Sequence, residues 1–152
     1  MADTFVIHEG SIEEAYSVYE AIPEFAPTSR VTRNEFETRL ADQSRLVLLA
    51  RCADAPVAFK AGYDRFHDGS WYSWLGGVLP SHRGLSLAQR LIETQEEWVR
   101  SRGYRRLFVK TRNRFHAMRS LLARSGYLIV SVDAPDGGSE LADLRLMLVK
   151  EL

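Results

Sequence analysis

The hydrophobic pattern of the chain changes period along its length, and each change predicts a secondary-structure element. Short runs that are apolar throughout, or that alternate with polar residues, are typical of strands. Such runs lie at residues 4–7, 45–52, 57–63, 70–78, 107–111, 127–132 and 141–149. Apolar residues spaced three or four apart, as on one face of a helix, follow Ser11, Thr32 and Arg83 and begin again at Phe115.

Capping signals support two of the predicted helices. Ser11 with Glu14, and Thr32 with Glu35, have the spacing of a capping box, in which a hydroxyl and a carboxylate satisfy the first backbone N–H groups. The resulting order is strand, two helices, three strands, helix, strand, helix and two strands. We therefore predict an α+β fold with a largely antiparallel sheet and one strand–helix–strand crossover. The length of the chain predicts a single domain over residues 1–152.

Composition narrows the class of partner. Lys and Arg number 20, as do Asp and Glu, so the formal net charge is zero and no basic excess favours nucleic acid. Cys52 is the only cysteine, which excludes an intrachain disulfide and suits a reducing compartment. The sequence has no basic leader, no apolar run of about 18 residues and no metal-ligand spacing. We predict a soluble, cytoplasmic protein that binds no nucleic acid, membrane or metal.

One turn carries the candidate chemistry. An apolar segment ends at Pro80, and a turn of small residues that begins at Arg83 then opens a helix. The first turn of a helix leaves about four N–H groups without internal partners and carries a partial positive charge. Such a turn is well suited to bind pyrophosphate, and Arg83 stands at its mouth. The sequence therefore predicts a cofactor that carries phosphate.

The turn and a second segment resemble the GNAT family of N-acetyltransferases, over nearly the whole chain. The family motif is Arg or Gln, two residues, Gly, one residue, then Gly or Ala; here Arg83 takes the first position and Ala88 the last. Ser86 replaces the middle glycine, and serine is small and can cap a helix. The second segment places Asn113 after the fifth strand and ends its helix at Gly126.

The resemblance implies the acyl-CoA N-acyltransferase fold, a mixed and mostly antiparallel sheet of six to seven strands flanked by about four helices. It implies that acetyl-CoA, as acetyl donor, binds between the fourth and fifth strands, which splay apart. A backbone N–H near Val78, freed by a bulge that Gly76 and Gly77 permit, would polarise the thioester carbonyl. The implied donor-binding residues are Gly77, Val78, Leu79, Arg83, Gly84, Leu85, Ser86, Leu87, Ala88 and Asn113.

The implied function is transfer of an acetyl group to a primary amine of a small molecule or peptide, by direct attack of the amine on the thioester. Many members carry a carboxylate on the fourth strand as general base, but residues 70–75 contain none. Asp64, His67 and Glu24 are therefore alternative bases. The alternative function is a non-catalytic acyl-CoA-binding or sensing domain.

The general acid and the acceptor site are also left open by the sequence. Many members place a tyrosine acid where this chain has Leu122, so Tyr127 is the remaining candidate, or the thiolate leaves without a proton donor. Aromatic residues of the third hairpin, with Phe25 and the connection from Pro23 to Pro27, are candidate walls of an acceptor pocket. Homodimers are common in the family, but no sequence patch identifies one here.

Overall fold

A computed structural model describes residues 4–25, 30–41, 43–135 and 140–152 of the chain. Within these residues seven strands form one sheet in the order β1-β2-β3-β4-β5-β7-β6, and four α-helices flank it. Only β4 and β5 pair in parallel, while every other neighbouring pair is antiparallel. The elements are β1 (Phe5–Glu9), α1 (Ile12–Glu20), α2 (Arg33–Leu40), β2 (Arg45–Cys52), β3 (Ala55–Tyr63), β4 (Ser70–Val78), α3 (Leu87–Ser101), β5 (Arg106–Arg112), α4 (His116–Arg124), β6 (Leu128–Asp133) and β7 (Arg145–Glu151). The predicted α+β fold with a mixed, mostly antiparallel sheet is confirmed.

One predicted boundary differs from the structure because a short 3₁₀ turn precedes the last strand. The third α-helix begins at Leu87, after the turn predicted to begin at Arg83; Pro80–His82 forms a 3₁₀ turn and Gly84 then adopts a left-handed φ of +79°. The last strand begins at Arg145, because Leu141–Asp143 forms another such turn. The loop predicted over residues 136–139 lies outside the described residues.

The two predicted capping boxes have different outcomes. Thr32 and Glu35 form both reciprocal hydrogen bonds, so this box is confirmed. The Ser11 hydroxyl accepts from the Glu14 N–H at 3.1 Å, but the Glu14 carboxylate binds Arg51 of β2 instead of returning to the cap backbone. A guanidinium from a neighbouring strand has therefore replaced the local half of the first box, and that ion pair lowers the pKa of Glu14.

Each face of the sheet covers its own hydrophobic core. Helices α3 and α4 cover one face, where Trp71, Leu107 and Leu122 are completely buried. Helices α1 and α2 cover the opposite face, where Phe36 and Phe59 are equally inaccessible. We call these the α3 face and the α1 face of the sheet. Side chains that alternate along β4 and β5 therefore reach two different environments.

The middle of the sheet is open at one end. β4 and β5 share four residue pairs, from Ser70 with Arg106 to Ser73 with Val109. Beyond these pairs, residues 74–78 of β4 and 110–112 of β5 have no partner in each other. The two strands therefore diverge and leave a gap, which we call the central gap. The expected splaying of the fourth and fifth strands is present.

Candidate functional site

The central gap is bordered by backbone donors of β4. The Leu79 N–H donates to the Val57 carbonyl at 2.9 Å, so these two residues form a hydrogen-bonded pair of the antiparallel β3–β4 ladder. Bonded and non-bonded pairs alternate along such a ladder. The N–H groups of Gly76 and Val78 therefore point away from β3 and towards the gap, where β5 supplies no carbonyl. The Val78 carbonyl points the same way and accepts from Nε of Arg83 at 3.2 Å.

The bulge of β4 lies at Trp74 and not at the two glycines. Ala61 pairs with Leu75 and Gly62 pairs with Ser73, which leaves Trp74 as the extra residue. The expectation of a bulge at Gly76 and Gly77 is therefore wrong, because both glycines pair regularly with β3.

The two glycines instead provide space. A Cβ on Gly77 would lie 2.5 Å from Cδ1 of Ile22, just after α1, and a Cβ on Gly76 would lie 3.2 Å from Nζ of Lys60. A side chain at Gly77 would force Ile22 to move, and one at Gly76 would press closely on Lys60. Glycine thus suits the close packing beside the central gap.

The loop before α3 presents a cluster of backbone donors. Within the described part of the chain, the N–H groups of residues 84–89 donate no hydrogen bond, and the first bond of α3 runs from Arg90 to the Ser86 carbonyl. Gly84 and Ser86 both have left-handed backbone, at φ of +79° and +62°. The Ser86 hydroxyl makes no capping hydrogen bond, contrary to the expectation from sequence. Unpaired N–H groups at the positive end of a 15-residue helix form an anion site.

The Arg83 side chain, at the start of this loop, is already bound by other groups of the protein. Its guanidinium binds both carboxylate oxygens of Glu24, and its Nε donates to the Val78 carbonyl. The ion pair ties the end of β4 to the segment after α1. Glu24, a candidate base, is therefore held in an ion pair with Arg83 at the end of β4.

Asn113 stands at the end of β5, on the other side of the central gap. Its side-chain nitrogen donates to the Leu141 carbonyl at 2.9 Å, and its backbone N–H donates to the Leu144 carbonyl at 2.8 Å. These bonds hold the turn that precedes β7. The amide oxygen of Asn113 has no hydrogen bond among the described residues and can accept one from a ligand.

The structure does not bring the other two base candidates to the gap. Asp64 follows β3 at the end where β4 and β5 are still paired, and it accepts from the hydroxyl of Tyr104 and the backbone N–H of His67, both at 3.0 Å. His67 is exposed in the same turn, with a φ of +52°. Both residues stabilise the β3–β4 turn. Of the predicted bases, only Glu24 lies beside the gap, where its carboxylate is bound by Arg83.

The proposed acid Tyr127 is also poorly suited to its role. Its buried hydroxyl donates to Glu96 of α3 at 3.0 Å. Burial raises the pKa of Tyr127, and the adjacent negative charge of Glu96 raises it further. Glu96 also accepts from Lys150 of β7 at 2.8 Å. A phenol with a raised pKa and a carboxylate partner does not give up its proton readily, and the nearby Leu122 has no proton to give.

Sequence reasoning missed Lys60 on β3. Lys60 pairs with Gly76, its side chain lies on the α3 face, and only 6% of its surface is exposed. Burial lowers the pKa of Lys60 to about 8, although the negative charge of Glu96 opposes this. No hydrogen bond or ion pair of its ammonium group occurs among the described residues. The signal available in the sequence was one charged residue in the middle of an otherwise apolar strand.

Residues on the α1 face complete the surroundings of the gap. Phe25 packs on Tyr19 with ring centroids 4.6 Å apart, which places the segment after α1 close to Gly77. Tyr72 and Trp74 lie on the same face, consistent with the expected acceptor wall. Pro27 of the expected wall lies outside the described residues.

The described residues contain no group of three or more His, Cys, Asp or Glu side chains that could hold a metal ion. Nor does any helix among them combine the length and apolar character needed to cross a membrane.

Among the described residues, the sheet opens between its one parallel pair of strands, beside a helix whose first N–H groups are unpaired. This geometry defines a class of protein that can bind an extended ligand carrying phosphate. The sequence model of the Acetyltransferase (GNAT) family matches residues 12–127. The chain belongs to this family, whose members generally use acetyl-CoA.

Solved structures with the same fold cover nearly the entire chain. The ribosomal-protein-S18-alanine N-acetyltransferase from Escherichia coli superposes with a TM-score of 0.83 at 13% identity, covering 97% of this chain and 94% of the other. Ard1 from Thermoplasma volcanium gives 0.78 at 18% identity, with 97% of each chain covered. An IAA acetyltransferase from Bacillus cereus gives 0.76 at 15% identity, covering 98% and 100%. No curated protein sequence matches the chain significantly. At these identities the likeness shows the fold alone.

Proposed function

We propose that the protein transfers an acetyl group from acetyl-CoA to a primary amine of a small molecule or peptide, by direct attack of the amine on the thioester. One observation carries the proposal: the N–H groups of Gly76 and Val78 face the central gap unpaired, and the gap continues into the unpaired N–H groups of residues 84–89. A cytoplasmic enzyme acting as one domain over residues 1–152 fits the single cysteine and the balanced charge.

The unpaired donors fit the two polar parts of the acyl donor. Residues 84–89 would bind the diphosphate through backbone N–H groups, and Asn113 would accept from the pantetheine arm across the gap. The N–H of Gly76 or Val78 would polarise the thioester carbonyl, and one well-placed donor of this kind is worth about 2.7–4 kcal/mol in the transition state. Because these donors belong to backbone held by β3 and α3, they need little reorganisation on binding.

The arrangement supports direct attack by the amine rather than transfer through an acylated side chain. Cys52, the only cysteine of the chain, lies at the end of β2, two strands away from the gap. Since the one predicted base beside the gap, Glu24, is already bound by Arg83, we propose that water carries away the proton of the attacking amine. The rate should then rise with pH as more of the amine becomes neutral.

The test combines catalysis with a matched pair of loop variants. Purified protein is mixed with acetyl-CoA and a panel of amines, and both the free CoA thiol and the acetylated product are measured. Gly84→Asp adds a negative charge to the anion site, while Gly84→Asn adds a side chain of nearly the same shape. Gly84 has a left-handed φ of +79°, which Asn and Asp tolerate better than other side chains, and a Cβ there meets nothing within 4 Å, so the two variants should fold with similar strain.

We expect turnover with at least one amine, lost in Gly84→Asp and retained in Gly84→Asn. Tight binding of acetyl-CoA without turnover of any amine would overturn catalysis and favour the non-catalytic acyl-CoA-binding domain. Equal activity of the two variants would refute the assignment of the loop as the diphosphate site.

A further inference from the structure

An aromatic surface lines the α1 face of β3, β4 and β5. We call it the aromatic floor. Its rings contact one another in sequence across the strands: Tyr63 stacks on Tyr72 with centroids 5.6 Å apart, and Phe66 meets Phe108 edge-on at 5.5 Å. Trp74 meets Tyr63 at 6.1 Å. The floor consists of Tyr63, Phe66, Tyr72, Trp74 and Phe108.

Three cations surround this floor. Cζ of Arg39 lies 5.1 Å from the ring centroid of Trp74, and Cζ of Arg65 lies 4.9 Å from that of Tyr72. Nζ of Lys110 lies 5.7 Å from the same Tyr72 ring. None of the three cations forms an ion pair with a described residue. The cation–π contacts hold them over the rings without neutralising their charge.

The charge at this surface is unbalanced even though the whole chain is neutral. Burial lowers the pKa of Lys110, and the positive charges of Arg65, Arg145 and Arg39 lower it further. The negative charge of Asp133 opposes this lowering of the Lys110 pKa, but the Asp133 carboxylate is itself bound by Arg145 at 2.6 Å. Mutual repulsion among the cations indicates a site that an anion would stabilise.

The aromatic floor and its three cations lie next to the central gap. Ser73 and Val109 form the last pair that joins β4 to β5, so Trp74 and Lys110 are the first residues beyond it. Both lie on the α1 face, whereas Lys60 lies on the α3 face. A molecule that approaches the gap from the α1 face therefore meets the three cations together with the partly exposed rings of Phe66, Trp74 and Phe108.

We propose that this surface is the acceptor site and that it selects primary amines carrying an anionic group, a carboxylate or a phosphate. The inference rests on the proposed function, because it specifies the acceptor of the same reaction. The guanidinium groups of Arg39 and Arg65 match the planar or trigonal oxygens of such anions. Tyr63 and Tyr72 are buried beneath them, so the rest of the acceptor would pack against the partly exposed rings of Phe66, Trp74 and Phe108. The amine is thereby directed towards the start of the gap, where β4 and β5 separate.

The experiment compares matched acceptors that differ only in the anion. The arms are L-phenylalanine against L-phenylalaninamide, a peptide beginning with Asp against one beginning with Asn, and phosphoethanolamine against ethanolamine. The amide of an amino acid has the less basic amine, so intrinsic reactivity at neutral pH favours the uncharged member. We expect kcat/KM to favour the anionic member at least tenfold in one arm, and that arm identifies the source of the anion.

Variants then test whether the preference for anionic acceptors depends on the three cations. Arg65→Gln and Lys110→Gln should each reduce the anionic-to-neutral ratio at least threefold, whereas Arg65→Lys should retain most of it. Arg100→Gln removes an exposed cation from α3 on the other face and should leave the ratio unchanged. A preference for neutral or cationic amines, or a ratio unaffected by both neutralising variants, would overturn the inference while leaving the proposed function intact.

A binding measurement separates the two proposals further. Calorimetry with the acetylated products, in the presence of CoA, needs no turnover. Tighter binding of the anionic product that is lost in Arg65→Gln would support the acceptor surface even if no amine were acetylated. Equal binding of both members of every pair would refute it.

A second inference rests on Lys60 alone. Its ammonium group lies over Gly76, beside one of the N–H groups that face the central gap, and it has no hydrogen-bond partner among the described residues. The negative charge of Glu96 of α3 acts on Lys60, but the Glu96 carboxylate is already bound by Tyr127 and by Lys150 of β7. Lys60 is thus a buried cation with an unused donor at the edge of the gap.

We infer that Lys60 protonates the thiolate that leaves the thioester. The lone pair of the amine forms the N–C bond, the electron pair of the C–S bond moves to sulfur, and the Lys60 ammonium gives its proton to that sulfur. The proton lost by the amine passes to water, and Lys60 regains a proton from solvent. The inference depends on the proposed function and supplies the donor that Leu122 and Tyr127 do not.

The test follows the thiol of bound CoA rather than turnover. Ultraviolet absorbance reports the thiolate, and its titration gives the thiol pKa in the complex. We expect Lys60→Met to raise this thiol pKa and to weaken binding of CoA at least fivefold near pH 8, where the Lys60 ammonium and the CoA thiolate are both present. Binding of desulfo-CoA, which lacks the sulfur, should be unaffected. An unchanged thiol titration in Lys60→Met, or equal weakening for both ligands, would overturn the role of Lys60.

Discussion

Replacement of Lys60 by Met should stabilise the fold at neutral pH. The ordinary pKa of lysine is 10.5, and burial lowers that of Lys60 to about 8. This difference corresponds to about 3 kcal/mol by which the folded state disfavours the charged side chain. Met has a similar length and flexibility, so the variant removes the charge without leaving a cavity. At pH 7 we therefore expect Lys60→Met to unfold with a free energy about 3 kcal/mol larger than that of the parent.

The sign of the pH dependence follows from the lowered pKa. Below about pH 8 both the folded and the unfolded parent carry the proton, and the full cost of the buried charge is present. Between about pH 8 and 10.5 the folded state loses this proton while the unfolded state retains it, so the stability of the parent rises with pH. The advantage of Lys60→Met should shrink across the same range and vanish above it.

Chemical denaturation of the parent and the variant from pH 6 to pH 11 measures the difference directly. Taking the difference at each pH cancels the titration of every other group. Arg100→Met, which removes an exposed cation from α3, should change stability by less than about 0.5 kcal/mol. If Lys60→Met were no more stable than the parent at pH 7, or if the difference did not vary with pH, the Lys60 ammonium would have to be solvated or paired, and the reasoning would fail.

Three other predictions concern the loop and the buried tyrosine. Ser86→Gly should raise the free energy of unfolding by up to about 1 kcal/mol in denaturant titrations, since glycine relieves the left-handed φ of +62°; a loss of stability would contradict this. Gly84→Asp should weaken acetyl-CoA binding at least tenfold by calorimetry, whereas Gly84→Asn should remain within about threefold; equal losses would argue for a steric effect. Tyr127→Phe should lower stability by about 1–3 kcal/mol through loss of the bond to Glu96, with thiol release per folded molecule of the same order as the parent's; a hundredfold slower release would restore Tyr127 as the acid.

Features set by neighbours in sequence were predictable. Thr32 and Glu35 are three residues apart and form their capping box as expected. The alternation of residues 57–63 and 70–78 predicted strands that the structure contains as β3 and β4. The turn after Pro80 indicated a donor cluster because helix starts leave N–H groups unpaired whatever the rest of the fold does.

Features set by distant residues were not predictable from local pattern. Arg83 and Glu24 are 59 positions apart, and no local pattern indicates the ion pair that joins them. The bulge at Trp74 arises from the register between β3 and β4, which no single strand encodes. The cations of the acceptor surface come from α2, the β3–β4 connection and β5, so their charges converge only in the folded chain.

The four residue pairs between β4 and β5 have a mechanical consequence. Among the described residues they are the only strand pairing between two parts of the sheet, one of β1 to β4 and the other of β5, β7 and β6. A ligand bound where these two strands separate contacts both parts of the sheet, so its binding increases the stability of the folded state. At one hundred times its dissociation constant, a ligand specific for the folded state contributes about 2.7 kcal/mol. The melting temperature of this protein should therefore track the concentration of its acyl donor.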